Sequence, residues 1–249
     1  MARRDKVKPA LIVLLGVAWA SPSFAESAGC FHFGYELGDL DSNDSVSLGR
    51  INNLSPRVNF VKREIFQKGC PNSSAACKDK AYLVPSDDVV ISGSSGDFVC
   101  ASYANRTGAV TDGWLPRAAI SLVREEPILL PGGWTGEWKS GPEQSIVIEA
   151  GGDQGKLKIK GDATWGASDP GRVARGAVNS GELDGEAPVT GTGDSLSFGM
   201  GENGPLPYDE ADEYDCRVQM RRLGPYLLVK DNNRCGGHNV TFTGIYRRQ

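Results

Sequence analysis

Six cysteines, at positions 30, 70, 77, 100, 216 and 235, constrain this chain more than any other feature, because no two of them form a Cys-x-x-Cys pair. Zinc sites favour closely spaced Cys and His ligands, and the only histidines are His32 and His238, so no metal and no cofactor are expected. An even set without that spacing reads as three disulfides formed in an oxidising compartment. Oxidised sulfur leaves no free thiol for nucleophilic chemistry, and no other catalytic constellation stands out.

The amino terminus agrees with export. Arg3, Arg4, Lys6 and Lys8 precede the apolar run Ala10 to Ala20, which is too short to span a bilayer comfortably. Pro22 breaks any helix, and Ser23-Phe24-Ala25 places small residues where a signal peptidase cuts, so residues 1–25 read as a signal peptide. Ser27-Ala28-Gly29-Cys30 offers a rival reading as a lipoprotein site, but it lacks the usual aliphatic residue, and acylating Cys30 would leave an odd set of thiols.

Cleavage after Ala25 removes four basic residues and one acidic residue. The balance of 27 basic against 31 acidic then becomes 23 against 30, and the formal charge moves from −4 to −7. An acidic chain without a basic stripe does not neutralise phosphates, which argues against a nucleic-acid partner. No basic amphipathic helix points to an anionic membrane surface, and no later stretch is apolar enough to span a membrane.

Two β domains are expected, 26–124 and 134–249, separated by a linker at 125–133 where Pro127, Pro131, Gly132 and Gly133 interrupt regular structure. In the first, Arg57 to Glu64 alternates apolar and polar residues as a half-buried strand does. Short strands then follow at Ala81 to Pro85, Asp88 to Ile91, Asp97 to Tyr103 and Gly113 to Pro116, divided by turns at Ser86-Asp87, Ser92 to Gly96 and Asn105 to Gly108. The second domain alternates more clearly. Lys156-Leu157-Lys158-Ile159-Lys160 puts lysines on one face and aliphatics on the other, and further strands are expected at Ile146 to Ile148, Val173 to Val178, Ser195 to Phe198, Cys216 to Arg221, Tyr226 to Val229 and Val240 to Tyr246. Roughly eight antiparallel strands close naturally into an up-and-down barrel without free edges.

The Val58-Asn59 strand, the turn before Val89, the Gly96-Asp97-Phe98-Val99 strand and the closing Gly113-Trp114-Leu115-Pro116 resemble bacterial SH3-type domains over about residues 55–124. A departure from that pattern is the insertion Lys68 to Lys78, which carries two cysteines. The opening Gly133-Trp134-Thr135-Gly136-Glu137-Trp138 and the ending Phe242-Thr243-Gly244-Ile245-Tyr246 resemble lipocalin-like and avidin-like barrels in architecture. The first resemblance implies a module that recognises a cell-wall peptide or an envelope protein. The second implies no ligand motif.

Six cysteines permit fifteen pairings, but pairing within domains leaves Cys216 with Cys235 and three options for the other four. Gly69-Cys70-Pro71-Asn72 and the small residues after it form a short closable loop, which selects Cys70 with Cys77 and leaves Cys30 with Cys100. By the chain-entropy estimate, closing the Cys216–Cys235 loop contributes about 3 kcal/mol.

Candidate ligand-binding residues are Tyr82, Tyr103 and Trp114, either an aromatic platform or packing residues, together with Asn233 and His238 in the polar loop Asp231 to Asn239, either a recognition surface or a pinned hairpin turn. The acidic run Asp209 to Asp215 reads as a solvated loop or a cation site. These observations lead to the expectation of an exported, non-catalytic SH3-like binding protein of the periplasm or cell envelope. The alternative is a periplasmic inhibitor of a lysozyme or protease.

Overall fold

A computed structural model describes residues 30, 40, 46–124, 131–153, 155–190 and 193–249. The expected signal peptide, His32 and residues 125–130 of the expected linker lie outside the described residues. The chain is all-β and forms two antiparallel sheets.

The first sheet contains β1 (Ser47–Ile51), β2 (Val58–Val61), β3 (Lys78–Leu83), β4 (Asp88–Ser95), β5 (Phe98–Ala104), β6 (Val110–Pro116) and β7 (Ile120–Leu122), in the order β3-β2-β6-β5-β4-β1-β7. Leu83, near one end of that order, and Ile51, near the other, share a single apolar cluster with Phe60, Val89, Ile91, Val99 and Leu115. The sheet must therefore curl around its core. The turn expected at Ser92 to Gly96 is mostly strand. A register shift between Ile91 and Gly93 absorbs one residue and lets β4 run on to Ser95, which leaves Gly96-Asp97 as the turn. Strand β1 lies upstream of the recognisable motifs and was not among the expected strands.

The second sheet contains β8 (Gly136–Lys139), β9 (Gln144–Ala150), β10 (Lys156–Trp165), β11 (Asn179–Pro188), β12 (Ser195–Gly201), β13 (Gly204–Leu206), β14 (Cys216–Leu223), β15 (Tyr226–Asp231) and β16 (Gly244–Arg248). Its order, β11-β10-β9-β8-β16-β15-β14-β12-β13, makes a nearly closed barrel. Eight strands form the meander, and the three-residue β13 adds a ninth beside β12. Closure depends on β16, which pairs with β15 on one side and, through Arg247 with Lys139, with β8 on the other. At the open seam between β11 and β12, a Cβ on Gly185 would stand 2.4 Å from the Phe198 ring. The ring takes the place of a side chain, and the Asp184 N–H reaches the Met200 sulfur at 3.3 Å.

Two expected strands need correction. Val173 to Val178 is not a strand, because Asp169 caps a short helix, α1 (Pro170–Ala174), by accepting from the Gly171 and Arg172 amides, with Pro170 preset for the first turn. Likewise the strand expected from Val240 begins only at Gly244. The backbone before it bonds to the Asp231 carboxylate instead of a neighbouring strand.

The barrel interior is filled. Trp134, Trp138, Phe198, Phe242 and Tyr246 are all fully buried in it with aliphatics from every wall, so it is a packed core. Residues of β15 alternate between two cores: Leu227 and Val229 face this interior, whereas Tyr226 and Leu228 join Leu223 and Ile245 in a separate cluster with Leu40, Val46, Leu48, Val90 and Ala104 of the amino-terminal half. The continuous apolar run Tyr226 to Val229 follows from burial on both faces. Across this junction a Cβ on Gly224, whose φ is +53°, would lie 2.5 Å from Leu48, so glycine serves both the tight turn and the close approach. The Tyr226 hydroxyl donates to the Asp88 carbonyl. Beneath the same turn Arg222 donates to the carbonyls of Tyr226 and Gly224, each at 2.8 Å, and lies 4.2 Å from the Trp138 ring. Burial, then the charge of Arg248, pull its pKa down to about 10.

Because Leu48 belongs to a cluster built from both sheets, Leu48→Ala is expected to lower global stability by roughly 2–4 kcal/mol. Urea denaturation should remain one transition, with Trp114 and the Trp134–Trp138 pair reporting the same midpoint. Separate shifts would show the halves unfolding independently. Burial also raises the phenols of Tyr226 and Tyr246 well above their ordinary value. Above about pH 10 the unfolded chain therefore releases protons that the folded chain keeps, and stability falls as pH rises. Absorbance at 295 nm should reveal two of the seven tyrosines ionising only on unfolding.

Candidate functional site

A groove of about 970 Å³ opens where Trp165 at the end of β10 meets the loop after β15. Asn233, Arg234, His238, Asn239 and Thr241 line it, with Gly236 and Gly237 between them. Asn233 and His238, expected from sequence as one polar loop, therefore border one groove.

That loop is held from several directions. The Cys216–Cys235 disulfide ties it to the start of β14. Asp231, only 6% exposed, accepts from the Thr241 and Thr243 hydroxyls at 2.7 and 2.8 Å and from the Phe242 amide at 2.8 Å. Asn232 accepts from the Arg217 amide at 3.1 Å and donates to the Asp215 carbonyl at 2.7 Å. On the far side, Gly237 donates to the Ser180 carbonyl at 3.0 Å, and the Asn179 side chain donates to the His238 carbonyl at 2.6 Å. Here a Cβ on Gly181 would stand 2.3 Å from the Cys235 carbonyl oxygen, so loop and β11 touch backbone to backbone. Asn233 and Asn239 adopt φ of +59° and +65°, a region that asparagine tolerates better than most residues.

The opposite wall is set by the turn between β8 and β9. Glu143 accepts from the Gly166 amide at 3.1 Å and the Ser168 amide at 2.6 Å, fixing the turn beyond Trp165. Gln144 donates to the Thr241 carbonyl at 2.7 Å and so steadies the other wall. Arg172 lies 3.5 Å from the centroid of the Trp165 ring and braces it. The same β8–β9 turn rests on the first sheet, where Gly141 donates to the Gly108 carbonyl at 2.9 Å. A smaller groove of about 570 Å³ runs along that junction, between Thr107, Lys139, Glu143, Asp162 and Gln249.

Tyr82, Tyr103 and Trp114 do not form one platform. Trp114 is 3% exposed and packs among Cys30, Cys70, Cys77 and Cys100, which join as Cys30–Cys100 and Cys70–Cys77. Tyr82 is about half exposed beneath Arg57, at 4.2 Å, whereas Tyr103 packs at the edge of the curled sheet's core. In the acidic run, Asp212 and Asp215 cap the backbone of their own turn, and among the described residues no cluster of three or more potential metal ligands occurs. Trp165, Glu143 and Gln144 were not singled out from sequence. The available signal was Asp169-Pro170, a helix start just beyond a strand that ends in Trp165-Gly166. Comparison with protein-family models, with curated proteins and with solved structures finds no match to the chain.

Burial pushes the Glu143 carboxyl up, but the hydrogen bonds from Ser168 and Gly166 and the charge of Arg172 outweigh it, and its pKa lies below the ordinary value. The contribution of this contact is therefore present above the ordinary carboxyl range and is lost as pH falls through the depressed value. Glu143→Gln is expected to speed amide exchange at Gly166 and Ser168 at neutral pH while leaving core amides protected. Unchanged exchange there would mean that the carboxylate does not hold the wall.

Proposed function

We propose that this chain is an exported, non-catalytic binding protein of the bacterial cell envelope, and that its recognition surface is the groove between Trp165 and the Cys235 loop. The observation that carries the reading is the combination of a solid barrel with a rigid, polar, disulfide-anchored groove on its outside. A packed interior has no room for a small molecule, whereas a groove already held in shape binds without a large ordering cost. Export is supported by the basic and apolar amino-terminal segment and by three disulfides, which persist in oxidising compartments. Among the described residues no helix is long and apolar enough to cross a membrane. The SH3-type resemblance of residues 55–124 points to a cell-wall peptide or an envelope protein as the partner.

A second reading, inhibition of a lysozyme or protease, draws on the exposed run Asn233-Arg234 and Gly236 to Asn239, which the disulfide presents as a stiff surface. Retention of the oxidised mature chain on peptidoglycan and on solubilised envelope fractions separates the two. Binding at low salt that falls at least tenfold in Asn233→Ala/His238→Ala supports the envelope reading. No retention of folded protein, with stoichiometric slowing of a hydrolase, would replace it by the inhibitor.

A further inference from the structure

We propose that the groove beside Trp165 recognises a carboxylate-bearing saccharide. This rests on the envelope-binding reading of the same groove and moves the ligand from peptide to glycan.

Charge argues for an acid. The mature chain is acidic, yet no carboxylate is among the described residues that line this groove. Asp231, beneath one wall, has both oxygens engaged by the Thr241 and Thr243 hydroxyls and the Phe242 amide. Arg234 is exposed at the rim, 5.8 Å from the Tyr214 ring, and among the described residues its guanidinium forms no ion pair. A planar guanidinium without a protein carboxylate suits a bidentate contact with a ligand carboxylate.

Shape and hydrogen-bonding chemistry argue for a sugar. Asn233, His238 and Asn239 are exposed around the opening. Each amide side chain offers a donor next to an acceptor, which matches a pair of neighbouring hydroxyls. Trp165, partly exposed and covered by Arg172 on one face, offers the rest of its ring to the C–H face of a pyranose. A peptide finds less here. The edge of β11 at Ser180 is already occupied by the Gly237 N–H, and β16 is paired on both sides, so the backbone beside the groove gives a peptide strand little to pair with. Apart from Trp165 the one apolar side chain among the described lining residues is Val240, which is 3% exposed and offers no socket for a peptide side chain.

The test is titration calorimetry at low salt on the oxidised mature chain. The probes are oligogalacturonate, glycan strands bearing muramic acid and stripped of peptide, a neutral N-acetylglucosamine oligomer of equal length, and an oligoglutamate peptide. At least one acidic saccharide is expected to bind ten or more times tighter than the neutral oligomer and the peptide. Arg234→Ala should weaken it about tenfold, as loss of one charge-assisted contact does, and Arg234→Lys should restore part of the affinity. Circular dichroism and intact disulfides confirm folding. Neither acidic saccharide binding, the neutral oligomer or the peptide binding as well, or an unchanged affinity in Arg234→Ala would each overturn the proposal. Should that happen while Asn233→Ala/His238→Ala still abolishes envelope retention, the envelope reading survives and only the choice of glycan fails.

Discussion

Strand β16 carries more of this structure than its five residues suggest. It closes the barrel by joining β15 to β8, and its residues divide between two cores: Tyr246 enters the barrel interior while Ile245 points into the cluster shared with the first sheet. Pairing of Arg247 with Lys139 spans more than a hundred residues, so the strand that closes the barrel over a long loop is also the one that meets the first sheet. Arg248 adds to the same junction by standing 5.1 Å from the Trp138 ring, over which Arg222 also lies. Neither guanidinium makes an ion pair there among the described residues. Two turn carbonyls and an aromatic face offset part of the cost of burying Arg222, whose Nε has no hydrogen-bond partner among the described residues.

Alternation made much of the fold readable in advance. The lysine and aliphatic pattern of β10 predicts a sheet with one wet face, and Leu157 and Ile159 are indeed buried in the barrel core. The all-β reading stands for the same reason. Local capping chemistry defeated it at Val173, where Asp169 and Pro170 favour a helix over the β-branched residue that follows. Between Val240 and Thr243 a long-range carboxylate, Asp231, replaces the expected ladder, and nothing local in the sequence announces it. The run Tyr226 to Val229 carried an unread signal: apolar residues on both faces require two partners, and the second is the amino-terminal sheet.

The groove was half legible. Asparagines, glycines and a cysteine between Asp231 and Asn239 mark a held polar loop, which is what the structure contains. The other wall comes from Trp165 and the Glu143 turn, distant in sequence and brought near only by the barrel's curvature. The aromatic trio of the first sheet illustrates the opposite case, because Trp114 is spent on covering two disulfides and cannot face a ligand at the same time.

Backbone contact between Gly181 and the Cys235 peptide, the disulfide, and the Asp231 and Asn232 bonds fix the course of the loop without using the exposed side chains of Arg234, His238 or Asn239. The bonds that hold the loop and the side chains it presents to solvent thus belong to different residues. Such a division leaves Arg234 and His238 open to substitution, so that selection or design can change the surface they present without first having to repair the fold.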